Sequence, residues 1–370
     1  MLRHRAGISL LIAWTLAAPV QAFDFVVTRL DDPAPGSCLP TDCSLREAVI
    51  ASNFASDSDR ILLSAGTYRL TIVGAGENDS ATGDLDARKD VEIIGAGASI
   101  TFIDAAGLGD QVIHAVAAGG LDFSLRRVTV RNGSQGGLVL GVGTHILEEV
   151  EIRDNGTGTT GNGATTGIAS QVTIRHSTIA GNAGRGLSVT QGSATVENST
   201  ISGNGGIDVF ANLAVEFSCT HCTIADATDT DAAVELFDTT VEFANSIVAG
   251  SCSLGSGAAI DSLGGNVESI GDSCHFDHAS DVILVTAPGL ALAGLADNGG
   301  PTRTHLPGAA SAANGSANDA LCASDDQRAV VRETNCESGS VERTNQVVLS
   351  SIFADGFLQG STGAWSLTVP

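Results

Sequence analysis

The residues that first suggest chemistry are acidic. The stretch GENDSATGDLD sets Glu77, Asp79, Asp84 and Asp86 among glycine and other small residues. A hard cation takes several oxygen ligands at once, and one loop can supply them, so these four are the candidate calcium ligands. Their spacing is not that of an EF-hand, and carboxylates in a solvated turn need no metal. A second, weaker patch is DATDTDAAVE, with Asp226, Asp229 and Asp231. Cys274-His275-x-Asp277-His278 offers ligand types for a transition metal. Yet Cys274 stands 22 positions after Cys252, where a bridge between stacked turns is natural. The chain has no HExxH pair, phosphate-binding glycine loop or Gly-x-Ser-x-Gly elbow. With one tyrosine and two tryptophans, an aromatic platform for sugars is thin.

The chain opens with Arg3, His4 and Arg5, an apolar run from Ile8 to Ala18, and then Val20-Gln21-Ala22. This pattern marks residues 1–22 as a secretory signal, with an apolar run too short to span a bilayer. Eight cysteines in an exported chain suggest four bridges: Cys38 with Cys43, Cys219 with Cys222, Cys252 with Cys274, and Cys322 with Cys336. Cys219 and Cys222 could instead hold zinc, but a structural site needs four ligands and there is no second CxxC. A net charge of −24 argues against nucleic acids and anionic membranes as partners, because both need a basic footprint.

Any such site needs a scaffold, and the sequence repeats one. STIAGN at 177–182 returns as STISGN at 199–204, and with these two, six segments align in all. Their central apolar residues are Val130, Ile152, Ile179, Ile201, Ile224 and Ile247, at steps of 22, 27, 22, 23 and 23. Short strands at this period cannot bury a face alone and must stack. The fold class expected is all-β, a right-handed parallel β-helix in which equivalent residues lie about 4.8 Å apart in successive coils. The aliphatic column points inward. Thr129, Glu151, Thr178, Thr200, Thr223 and Ser246 form an outward row, and Asn132, Asn155, Asn182 and Asn204, then Asp226 and Gly250, follow the strands. Asparagine there tolerates left-handed backbone and can bond its equivalent in the next coil. Arg126, Glu148, Arg175 and Glu197 alternate in sign, as a ladder of exposed ion pairs would.

The flanks carry a resemblance. CLPTDCSLREAVIASN, residues 38–53, resembles the bacterial exported proteins named for their CSLREA motif, which implies a cysteine-linked loop and a short helix ahead of a parallel β-helix. Leu45, Ala48 and Val49 fall at helical spacing, and Ser44 with Glu47 reads as a capping box, so the segment is an N-terminal capping helix. Arg46 and Glu47 are then structural. Leu295 to Thr302, Thr304-His305, Pro307-Gly308 and Asp326-Gln327-Arg328 are similar to a choice-of-anchor Q segment, although its usual Gly-Ala-Phe-Glu ending after the second cysteine appears only as Glu337 to Glu342, a departure from that pattern. The final IFADGFLQGSTGAWSLTVP resembles a short tail of exported proteobacterial proteins.

The expected divisions are signal 1–22, cap 23–60, coils 61–285, anchor-type segment 286–345 and tail 346–370. The expected function is non-enzymatic: a secreted or cell-surface protein acting in adhesion or glycan interaction, with a polysaccharide or cell-surface ligand and calcium as the candidate ion. The alternative is a polysaccharide lyase or glycoside hydrolase working in a groove along one face.

Overall fold

A computed structural model describes residues 23–55, 58–226 and 232–343. The expected signal, the tail at 346–370, and Asp229 and Asp231 lie outside the described residues. Among the described residues, short strands build three parallel sheets of ten, ten and eight strands. One coil shows the pattern. Phe123–Arg126 lies in the first sheet, Thr129–Arg131 in the second and Gly136–Leu140 in the third, and the next coil begins at Gly143.

Strand alternation fills the interior from all three sides. The second sheet stacks Ile103, Val130, Ile152, Ile179, Ile201, Ile224 and Val248 in register. The first sheet adds Ile93, Leu125, Leu147, Ile174 and Val196, and the third adds Leu85, Ile113, Leu138 and Leu187. All of these are buried.

The register corrects two columns expected from sequence. Ile224 pairs with Val248, so Ile247 occupies the outward position opposite Thr223, and Ser246 falls one place earlier. Spacing alone could not see this, because Ile247 and Val248 are both branched and apolar. Ile247 stays buried because a second apolar cluster of Val267, Val285, Leu290 and Ala313 covers it. In the turn after the second sheet, the left-handed position belongs to Asn132, Asp154, Gly181 and Gly203, while Asn155, Asn182 and Asn204 come one residue later. Asn155 Nδ2 donates to Asn182 Oδ1 at 2.9 Å, and Asn182 Nδ2 to Asn204 Oδ1 at 2.9 Å. Beside this ladder the chain uses glycine: a Cβ on Gly163 would stand 2.7 Å from Asn182 Nδ2.

Added segments cover the N-terminal end of the solenoid and one of its outer faces. Helix α1, Leu45–Phe54, carries the Ser44–Glu47 capping box and packs its buried face on the first coils. From Thr286 onward the chain turns back as a strap along the outside of the second sheet. The outward row is therefore not a free face. Gln327 bonds Thr178 and Thr200, Ser340 N donates to Thr223 Oγ1, and Arg303 N donates to Glu151. All eight cysteines are bridged, as Cys38–Cys43, Cys219–Cys222, Cys252–Cys274 and, within the strap, Cys322–Cys336. Cys219 and Cys222 are thus joined to each other and do not form half a zinc site. On the first sheet, Arg126 pairs with Glu92 and Glu148, and Arg175 with Glu197.

The asparagine ladder ends on Asp208, whose Oδ1 accepts from Asn204 Nδ2 at 2.7 Å. Burial, opposed by the bonds from Asn204, pushes its carboxyl up to about 8. The folded state therefore holds a proton that the unfolded chain releases near pH 4, and stability falls as pH rises between those values. Asp208→Asn keeps the acceptor and removes the ionisation. We expect the variant to melt higher than the wild type at pH 8 and to match it near pH 4, as read by thermal unfolding at the two pH values.

Candidate functional site

The acidic loop is shaped from beneath by the N-terminal cap. Arg46 is fully buried, pairs with Asp32 at 2.7 Å, and donates to the carbonyls of Ser80, Gly83 and Asp84. One guanidinium thus fixes the backbone from 80 to 84. Ser80 sits in left-handed backbone at φ 56° and Gly83 at φ 65°, where an added Cβ would meet Gly74 O at 2.8 Å. Asn53, from helix α1, holds the far side by donating to Asp86 O at 2.7 Å and accepting from Arg88 N.

This loop feeds the strand Leu85–Ala87, whose Leu85 enters the core. Asp84 and Asp86 flank Leu85 and so face outward, as strand alternation requires. The register places His114, on Gln111–Ala115, beside Asp86. His114 Nδ1 is 3.2 Å from Asp86 Oδ1, and Gln111 Nε2 donates to Asp84 Oδ2 at 2.7 Å. Asp110 accepts from Gln111 N at 3.0 Å. Asp84, Asp86 and Asp110 are each at most 3 % exposed. Ligand atoms of Asp84, Asp86 and His114 lie within 4.8 Å of one another. A cavity of about 310 Å³ opens beside them, lined by Asp84, Asp110, Gln111, His114, Glu77 and Gln135 among others.

The electrostatics follow from this crowding. Burial, then the neighbouring Asp86 and Asp110, pushes Asp84 up to about 7. His114 is raised by its bond to Asp86, which outweighs burial, and by the other two carboxylates. No arginine or lysine lines the cavity. Arg46 spends its charge on Asp32, and Arg88 pairs with Asp79. The arrangement is an anionic pocket with one imidazole.

Of the four residues expected to act together, the structure brings only Asp84 and Asp86 into contact with the cluster. Glu77 reaches the cavity wall, but its carboxylate accepts from the amides of Asp79 and Thr82 in its own loop. Asp79 turns outward to Arg88. Asp110, Gln111 and His114 escaped the sequence reading, because the aligned columns run through the first and second sheets and the turn after the second, and none passes through the third-sheet strands that pair His114 with Asp86. At the other end, Asp226 lies beyond the ladder, and the Cys274 candidate is bridged while His275, Asp277 and His278 stay on the surface.

Residues 112–274 match the family described as right handed beta helix region. The coils form a right-handed parallel β-helix. The match begins after Asp84, Asp86 and Asp110 and ends before the strap, so the family pattern of the β-helix describes neither. Similar solved structures include pectate lyase Pel9A, 13 % identical, covering 88 % of this chain and 98 % of that one, with a TM-score of 0.43. The ORF18 protein of Geobacillus virus E2 is 12 % identical over 71 % of this chain and 59 % of that one, TM-score 0.38. The A-module of mannuronan C-5 epimerase AlgE6 from Azotobacter vinelandii is 18 % identical over 68 % and 95 %, TM-score 0.29. These likenesses concern the solenoid and carry no site. No curated protein matches the chain.

Replacing Arg46 by methionine leaves Asp32 buried without its partner and three carbonyls without a donor. We expect Arg46→Met to cost about 3–5 kcal/mol and to raise amide exchange first in residues 74–84. Unchanged exchange in that loop would show that the cap does not hold it.

Proposed function

We propose that this chain is an exported β-helix protein of glycan or surface interaction, and that its pocket at Asp84, Asp86, Asp110 and His114 binds a divalent cation. The observation that carries this reading is a cavity lined by the buried carboxylates of Asp84 and Asp110 and by His114, which Asp86 contacts from behind, with no basic side chain in its wall. A mixed set of carboxylate oxygens and one imidazole nitrogen suits Mn²⁺ or Zn²⁺ better than Ca²⁺, which prefers oxygen alone. The cation would also offset the charge of −24, which otherwise repels an anionic polymer. The four disulfides support residence in an oxidising compartment.

A second reading rests on a separate observation. A carboxyl pushed to about 7 beside an imidazole is a proton donor and acceptor pair poised near neutral pH. On that reading the same pocket belongs to a polysaccharide lyase or hydrolase.

Cation binding must displace protons from Asp84 and His114, so affinity is lost as pH falls through about 7. We expect calorimetry to show Mn²⁺ binding at one site, at least about tenfold tighter at pH 8 than at pH 6. Asp84→Asn and His114→Gln should each weaken it by about tenfold or more. Undiminished binding in both variants would remove the pocket from the account. Retention on polysaccharide columns with and without Mn²⁺ tests the surface role, and new chain ends in the eluate would favour the enzymatic reading.

A further inference from the structure

A separate cavity lies between the edge of the second sheet and the strap. It holds about 550 Å³. Its floor is one column of the β-helix, Ala180, Ser202, Ala225 and Ala249 in register, with Gly181 and Gly203 beside it. Its far wall is the strap, with Leu290, Leu292 and Leu295. In this run of small residues Ser202 brings a hydroxyl, and alanines on both sides leave that hydroxyl uncrowded.

The hydroxyl is not idle. Ser202 Oγ lies 2.7 Å from His305 Nε2. His305 Nδ1 lies 2.7 Å from Ala293 O. A carbonyl can only accept, so Nδ1 carries the proton, and the neutral ring presents a bare Nε2 to the serine. The tautomer is therefore fixed by the backbone of the strap. Both side chains are below 9 % exposed, yet both line the cavity. Docking does not depend on this pair, because Thr178, Thr200 and Thr223 already tie the strap through Gln327 and Ser340.

A hydroxyl bonded to a neutral imidazole, which is itself oriented by a third group, is the arrangement that activates a nucleophile. We propose that Ser202 and His305 form a nucleophile and base pair for hydrolysis of carboxylic esters, with the acyl group lodged in this groove. The aliphatic wall and the alanine and glycine floor suit a small aliphatic acyl group. Asp154 and Asp226 in the same wall disfavour anionic esters, and Arg303, whose Nε pairs with Glu151, is the arginine that lines the groove.

The chemistry closes with water alone. Ser202 Oγ bonds to the ester carbon while its proton moves to His305 Nε2. The bond from that carbon to the alcohol oxygen breaks, and the alcohol takes the proton. Water then attacks the acyl carbon and gives its proton to His305, which returns it to Ser202 Oγ as the acyl bond breaks. Ester and water become acid and alcohol, and the pair is restored. Burial lowers the imidazole below its ordinary range, so the base is already neutral at pH 7.

The test uses the whole exported chain with its disulfides intact. A fluorophosphonate probe should form an adduct that peptide mass spectrometry places on Ser202, and p-nitrophenyl acetate or butyrate should be turned over. Ser202→Ala should abolish the adduct and lower turnover at least about 100-fold, and His305→Gln should lower turnover similarly. Because the imidazole is held neutral, turnover should already be level at pH 7 and fall only below the usual histidine range. An absent adduct at Ser202 in folded protein, or turnover that survives Ser202→Ala, would overturn the proposal. If His305→Gln loosens the strap, the adduct on the unaltered chain still decides.

Discussion

The structure depends on one constraint: every side chain in a coil has an equivalent about 4.8 Å above and below it, and the column must be chemically compatible. Inside, this selects branched aliphatics. At the turn it selects asparagine, which donates to one neighbour and accepts from the other, and then glycine beside it because no Cβ fits. Columns end where compatibility ends. Asp208 closes the asparagine ladder by offering an acceptor in place of the next amide. Glu268 closes the inward column of the second sheet, with its carboxylate turned to the amides of Ser273 and Cys274.

Both candidate sites arise where an added segment meets these columns. The cap does more than cover an open end. Its buried arginine reaches three carbonyls and so sets the loop that presents Asp84 and Asp86 to His114. The strap likewise does more than cover threonines. By packing beside a column of alanines, it walls a groove and delivers His305 to Ser202. A plain stack of coils has neither feature, since its repeating neighbours would repeat each charge or cancel it, as Arg126 and Glu148 do.

Much of the scaffold was legible in the sequence: the coil period and the inward column as far as Ile224 because they repeat, and the bridged cysteines and the capping box because their partners stand at short, characteristic spacings. The misplacement of Ile247 and Asn132 has a physical cause. Neighbouring residues of similar type satisfy the same pattern, and only backbone pairing distinguishes them. The sites were less legible because they do not repeat. Asp86 and His114 are 28 residues apart and meet through one coil of register, and Ser202 and His305 are 103 apart and meet only because the strap turns back. Glu77 and Asp79 are near Asp84 in sequence, yet their own loop and Arg88 take their carboxylates away from it.

Anomalous diffraction from crystals of the disulfide-bonded chain grown with Mn²⁺ at pH 8 tests most directly whether the cap has built a cation site. The account predicts one strong peak within about 2.0–2.6 Å of oxygen atoms of Asp84 or Asp86 and a nitrogen of His114. A pocket without a peak, or a peak bound instead by Glu77 and Asp79, would contradict it.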